Sequence, residues 1–308
     1  MRPQEAPVKR PAALSGYFSW VVERGHGWHP SCMRTAQADP LALLEALVDR
    51  LHERGRLRVW SLVITLFGDA VVPRGGHVAL STLQEVLGRL RVEPGALSTA
   101  MSRLAADGWV IREREGRRSY FRLDERGRHA FDLATRRIYA SGPPGWDGRW
   151  TVAIAPPEPP QAAADLADLG FVRINGGVYL RPEGEGMPDA AAALEGLLVV
   201  HGERADHPDA FRALWPSGEV ASAYRGFIEA FRPLAAALEA GGRLGPLDAI
   251  AARTLLIHDW RRIVLRDPSI PLALLPEDWP GEEARALMHR LQGLLREPSE
   301  KWLARQAQ

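Results

Sequence analysis

The stretch from Leu80 to Leu123 constrains this chain more than any other, because its periodicities demand a helix, a second helix and an arginine-studded hairpin in that order. Ser81 stands where a helix N-cap belongs, and Leu83, Val86, Leu87 and Leu90 follow at i, i+3, i+4, i+7, which gathers them on one buried face. A second helix starts at Pro94, a residue suited to a first helical turn, with Leu97, Ala100, Met101 and Leu104 on its apolar stripe. Gly95, Ser98, Thr99, Ser102 and Arg103 face away from that stripe. Asp107-Gly108 closes the helix, and Val110 to Leu123 reads as two strands joined at Glu115-Gly116-Arg117. This is the order of a winged helix-turn-helix, with the hairpin as the wing.

The residue types on the outward surfaces suit double-stranded DNA. A major groove about 12 Å wide admits one helix, and small polar side chains let its backbone approach the base edges, so Ser98, Thr99, Ser102 and Arg103 are the expected readers. Arg112, Arg114, Arg117, Arg118 and Arg122 would set the hairpin on phosphates, which supplies affinity and register without reading sequence. Between Met101 and Arg128 there are eight arginines against five carboxylates, while the whole chain carries a net charge of only +1, so positive charge is concentrated here. The competing reading is a structural winged-helix module with a solvated basic face in a protein assembly.

Composition removes several other classes. With 308 residues, 46% of them hydrophobic and 25% charged, the chain has the make-up of a soluble protein of two or three domains. No apolar run approaches the length of a membrane span and no signal-peptide core opens the chain, so a cytoplasmic protein without a membrane partner is expected. Cys32 is the single cysteine, which excludes an intramolecular disulfide and a thiolate zinc cluster within one chain. The nine histidines show no HExxH spacing. His201 and His207 near Asp206 and Asp209 fall on a strand end and a loop, so neither metal nor cofactor is expected.

Four segments follow from the pattern. Residues 1–38 lack periodicity and read as a disordered tail, with Met33 as an alternative start. Residues 39–140 hold the winged helix and a linker helix. Asp39-Pro40 opens a helix with Leu41, Leu44, Val48 and Leu51 on one face; Arg58 to Phe67 is a second; Val71 to Gly76 is a turn before a short strand through Val78 and Leu80; and Asp124 to Ala140 is a helix after the wing. Residues 141–215, begun by the breaker Ser141-Gly-Pro-Pro-Gly145, read as a ferredoxin-like α+β domain. Its strands are Trp150 to Ala155, Phe171 to Ile174, Val178 to Leu180 and Gly196 to Val200, the second and third joined by Asn175-Gly176-Gly177, with helices over Gln161 to Leu169 and His207 to Leu214. Residues 216–308 are purely helical in pattern. The expected class is therefore multidomain α+β.

Four separated motifs in this order carry a family resemblance: Trp60–Gly76 (WSLVITLFGDAVVPRGG); Gly116–Arg128 (GRRSYFRLDERGR); Arg137-Ile138-Tyr139 with Trp146–Trp150 (WDGRW); and His258–Arg262 (HDWRR) with Asp267-Pro268 and Leu275–Gly281 (LPEDWPG). From about residue 41 onward the chain resembles the PaaX family of bacterial transcription regulators. The resemblance implies a winged helix, a ferredoxin-like domain and a C-terminal helical domain. It also implies a homodimer that represses aromatic catabolic genes, typically those for phenylacetate, until an aryl-CoA thioester such as phenylacetyl-CoA releases it.

Within that expectation, Trp146, Trp150, Tyr179 or Trp260 would meet the aryl group, and Arg173, Arg261 or Arg262, with His258 beside them, would meet the CoA phosphates, because guanidinium groups pair with phosphate in bidentate fashion. The structural alternative places Trp260 and Trp279 in the core and Trp146 and Trp150 at an interdomain contact. Two other functions are compatible with the motifs. One is an activator or repressor tied to another acyl-CoA. The other is a metal-dependent nuclease built on the ferredoxin-like domain, against which stands a first strand ending in Ala155-Pro156-Pro157, with Glu158 the nearest acid.

Overall fold

Pro40 fixes the first helical turn of the chain, and the Asp39 carboxylate caps it by accepting from the Leu41 amide at 3.0 Å. A computed structural model describes residues 38–306 except 117, 158–165, 167, 168, 186, 188, 207–209 and 211–217. The expectations for the tail and Met33, for Arg117, His207 and Asp209, and for the helices over Gln161 to Leu169 and His207 to Leu214 lie wholly or largely outside the described residues. Helix α1 (Pro40–Glu53) buries Leu44, Leu47, Val48 and Leu51. Leu41 is 44% exposed, because at 3.6 residues per turn it sits about 70° from the centre of that stripe and Leu47 takes the buried position instead.

Helix α2 (Val59–Leu66) is buried on nearly every side. It does not stop at the expected turn. One widened turn, Phe67–Val71, and a tight one, Val72–Arg74, continue it to Gly75, whose φ of +94° reverses the chain. Gly68 permits this course, since a Cβ there would lie 2.4 Å from the Phe131 ring. Strand β1 (His77–Ala79) leads directly into α3 (Leu80–Arg89), which begins one residue before Ser81; Ser81 is exposed within the first turn, and the cap position belongs to Ala79. Helix α4 (Pro94–Ala106) buries Leu97, Ala100, Met101 and Leu104, the four residues its periodicity specified. Strands β2 (Val110–Glu115) and β3 (Arg118–Leu123) pair antiparallel, and β1 joins them in the order β1-β3-β2. Asp124 then caps α5 (Glu125–Ile138).

A second antiparallel sheet contains β4 (Trp150–Ile154), β5 (Val172–Asn175), β6 (Val178–Pro182) and β7 (Leu198–Gly202) in the order β5-β6-β4-β7. One face packs Ala153 with Leu166, Phe171, Ala190 and Ala193. The other packs Trp150 and Val172 on Ile270, Leu274 and Leu275. Three long helices end the fold: α6 (Gly218–Glu239), α7 (Pro246–Val264) and α8 (Gly281–Gln306).

The described chain is thus a mixed α/β fold with two small antiparallel sheets and several helices. Its largest core runs without a break from Leu44 of α1 through Leu83, Met101 and Phe131 to Tyr224, Phe227, Trp260 and Leu291. Residues 39–140 and 216–306 therefore share one apolar interior, and the second sheet makes its own. No helix of the described residues is long and apolar enough to cross a membrane.

Candidate nucleic-acid interface

Helix α4 turns its apolar stripe inward, so Ser98, Thr99, Ser102 and Arg103 are all exposed. Thr99 donates its hydroxyl proton to the Gly95 carbonyl at 2.9 Å, which leaves an acceptor lone pair outward. Arg103 is 72% exposed, and its nearest ionic partner, Asp107, is 3.6 Å away on the same helix. A solvent-exposed pair of that length contributes little, so the guanidinium is free to exchange partners. The helix presents a shallow polar surface with one long cation.

The strand register divides the hairpin arginines between two faces. Arg112 pairs across with Phe121 and Arg114 with Ser119, so these arginines extend the face that lower down buries Val110, Phe121 and Leu123 against the helices. Arg112 also donates to the Ser119 hydroxyl at 2.9 Å. Arg118 and Arg122 lie on the opposite face with Tyr120. There Arg122 is ion-paired to Glu113, which also meets His77 at 3.2 Å, and His77 stacks on Tyr120 at 4.7 Å. The Arg122 guanidinium holds the Glu113 carboxyl below its ordinary range. Alternation along each strand thus sends Arg112 and Arg114 to one face and Arg118 and Arg122 to the other, and Arg122 is paired with a carboxylate.

A cavity of about 1110 Å³ lies at the junction of α5, the segment after it, loops of the second sheet, the chain following α7 and the start of α8. Met187, Ile270, Leu275 and Trp279 give it apolar walls, and Arg136, Arg137 and Arg285 line it together with the carboxylates of Glu185, Asp189, Asp267 and Glu282. Residues 137 to 140, which end α5 and open the linker, are fastened along one side of it. Arg137 donates to the Val264 carbonyl at 3.0 Å and to that of Asp267, Trp260 Nε1 donates to the Ile138 carbonyl at 2.8 Å, and Arg285 donates to the Ala140 carbonyl at 3.0 Å. Tyr139 donates to Asp69 at 2.6 Å, and Arg253 closes on the same carboxylate at 2.7 Å. Burial, reinforced by Asp69, pushes the Tyr139 phenol well above its ordinary value, so it is a fixed donor. This staple ties the cavity wall to the buried widened turn after α2.

The eight residues expected at an effector are not gathered at one site, although Trp146 meets Trp150 and Arg173 pairs across strands with Tyr179, and none of them lines this cavity. Trp260 is fully buried in the main core, with Tyr224 and Phe227 against its ring. His258 is 3% exposed and 3.2 Å from the Thr65 hydroxyl; burial, then Arg261 and Arg262, push its ring down to about 3, so it is neutral near pH 7. Arg261 reaches inward to the Ser61 hydroxyl at 3.2 Å, whereas Arg262 is exposed on another side of α7. Trp146 packs edge-on to the buried Trp150 at 5.4 Å, over the contact with Ile270 and Leu275. Tyr179 packs in the cluster on the opposite face, and Arg173 is exposed and bonded to the Gly176 carbonyl at 2.7 Å. Large aromatics and a histidine at helical spacing served the core here because their apolar area outweighs their polar tips. The cavity cations are dispersed along the sequence, Arg136 and Arg137 ending one helix and Arg285 near the start of another, so no linear pattern joins them. Arg137, Asp267, Pro268, Leu275, Trp279 and Gly281 of the cavity lining belong to the family motifs.

Residues 58–127 match the family model described as PaaX-like protein, and residues 215–305 match PaaX-like protein C-terminal domain. The transcriptional repressor PaaX of Escherichia coli (strain K12) is 32% identical over 243 residues, which cover 74% of this chain and 77% of that protein. Among solved structures, the uncharacterized protein Rv0674 from Mycobacterium tuberculosis shares the fold with a TM-score of 0.53 at 18% identity, over 78% of this chain and 97% of that one.

Proposed function

This chain belongs to the PaaX family, and from that membership we propose that it is a DNA-binding transcriptional repressor of aromatic, phenylacetate-type catabolic genes that an aryl-CoA thioester releases. PaaX-family proteins are transcriptional repressors, not enzymes, and the nuclease alternative is set aside. The observation that carries the reading is the exposed Ser98-Thr99-Ser102-Arg103 surface of α4 beside Arg112 and Arg114 of the hairpin, within the matched residues 58–127. In this reading α3, α4 and the hairpin work as a winged helix-turn-helix. Helix α4 enters the major groove; Arg112, Arg114, Arg117 and Arg118 engage phosphates, and Arg122 joins them by leaving Glu113. The strand order β5-β6-β4-β7, all antiparallel, supports a ferredoxin-like second module.

The effector enters the reading through linkage. Only a ligand that binds the DNA-incompetent state more tightly can release the operator. The cavity along residues 137 to 140 offers an aryl-CoA apolar walls for the aryl group and three arginines, set among four carboxylates, for the phosphates, and it replaces the eight dispersed residues as the proposed site. A ligand that engages Arg285 or Arg137 competes with the carbonyls these residues now hold, so the end of α5 loosens. Titrating the protein–operator complex with phenylacetyl-CoA, free phenylacetate and CoA, read by fluorescence anisotropy, tests this. Release by the thioester alone is expected. Release by free phenylacetate at equal concentration, or by none of the three, overturns the effector assignment.

A further inference from the structure

A second concavity, of about 670 Å³, lies between α1, α6 and the last turn of α7 and shares no lining residue with the cavity behind α5. Four guanidinium groups line it: Arg50 of α1 and Arg54 at its C-cap, Arg262 of α7 and Arg266 in the turn just after it. Two carboxylates line it, Glu219 and Asp259, so its lining carries an excess of positive charge. Arg54 is held on both Asp259 oxygens at 2.8 Å, and Arg50 is fixed to the Gly226 carbonyl at 2.8 Å. Arg262 and Arg266 are exposed, and their guanidinium groups make no hydrogen bond or ion pair with another described residue.

Placement makes this more than a solvated basic face. Arg50 is recessed and rigid, and burial together with neighbouring Arg54 holds it below its ordinary value, although Asp259 and Glu229 act in the opposite direction. Four guanidinium groups against two carboxylates leave the lining with excess positive charge, and a low-dielectric concave wall focuses such a field on an anion. The guanidinium groups of Arg262 and Arg266, without side-chain partners, each present the fork that binds phosphate oxygens. The volume falls within the range of about 300–1000 Å³ typical of small-molecule sites.

We propose that this groove is a binding site for a phosphorylated small molecule carrying a diphosphate, with Arg262 and Arg266 clamping the phosphates and Arg50 adding positive charge to the same wall. A free nucleotide and the nucleotide part of a coenzyme A ester share this chemistry. The site stands independently of the effector reading, because it is measured on the DNA-free protein.

Isothermal titration of the full chain with inorganic pyrophosphate at low salt tests it. Saturable binding is expected, weakened about tenfold or more by Arg262→Gln with Arg266→Gln, since each change removes a charge-assisted hydrogen bond. Both side chains are exposed, so near-ultraviolet circular dichroism should be unchanged in the variant. Absence of saturable binding, equal affinity in the double variant, or equal affinity for sulfate overturns the proposal. Titrations with ATP and with CoA then separate the two sources, the tighter ligand identifying the one that supplies the phosphates. Failure of phenylacetyl-CoA to release operator leaves this result standing, and absence of pyrophosphate binding leaves the effector test standing.

Discussion

Arg103 projects from α4 with only a 3.6 Å exposed partner, so what it gains on DNA is not lost from the fold. Arg103→Ala should weaken operator binding by about 1–3 kcal/mol and random-sequence binding by less. Equal losses on both DNAs would remove the base-reading role. Arg112 and Arg114, on the hairpin face continuous with the helices, are expected on phosphates. Their joint replacement by Ala should make the slope of log K against log salt shallower by about one per lost contact. An unchanged slope in the folded variant would show that this face does not touch the backbone. His258 gives a pH signature. The folded ring stays neutral down to about 3, while the unfolded ring takes a proton near 6.5. Its contribution is therefore fully present above pH 6.5 and is lost as pH falls, by about 1.4 kcal/mol per unit. Urea midpoints of wild type and His258→Gln between pH 7.5 and 5.5 check this, the variant being expected to show the flatter dependence.

Among the elements, α4 and α5 were the most legible, because an apolar stripe at helical spacing, Pro94 in a first turn and Asp124 as a cap each state a boundary locally. The continuation of α2 to Arg74 was not legible. Val71 to Gly76 has the composition of a turn, and what keeps it helical is a ring from α5 lying over Gly68. Close approaches of this kind predict opposite outcomes for two glycines. A Cβ on Gly127 in the first turn of α5 would fall 2.4 Å from the Trp109 carbonyl oxygen, a backbone atom that cannot step aside. Gly127→Ala should cost about 1–3 kcal/mol through displacement of α5. Gly88 in α3 has open space around it, so Gly88→Ala should be neutral or raise stability by up to about 1 kcal/mol. Equal denaturation midpoints for the two variants would contradict this account.

At the scale of the molecule, one apolar interior is shared by α1 to α5 and α6 to α8. The buried Asp69–Arg253 pair with Tyr139 joins the two sets of helices again through polar contacts. On the proposed reading, a ligand that loosens the end of α5 acts on α4 through this shared interior. A single winged helix reads few base pairs, so selectivity calls for two copies on a palindromic operator. Sedimentation at micromolar concentration, with and without operator, should give a dimer mass. A monomer under both conditions would refute the two-fold arrangement.

Short-range physics was sufficient for part of this protein. The stripe Leu97-Ala100-Met101-Leu104 decided which side of α4 is exposed, the Asn175-Gly176-Gly177 turn decided the β5–β6 hairpin, and four separated motifs decided the family. Each depends on neighbours a few residues apart or on a linear pattern. Which side chains meet across the fold depends instead on packing between segments more than a hundred residues apart. That packing buried His258 and Trp260 under α2 and α5 and brought Arg137, Trp279 and Arg285 around one cavity. Composition could not anticipate it, because an arginine or a tryptophan reads the same whether it anchors a core or lines a cavity.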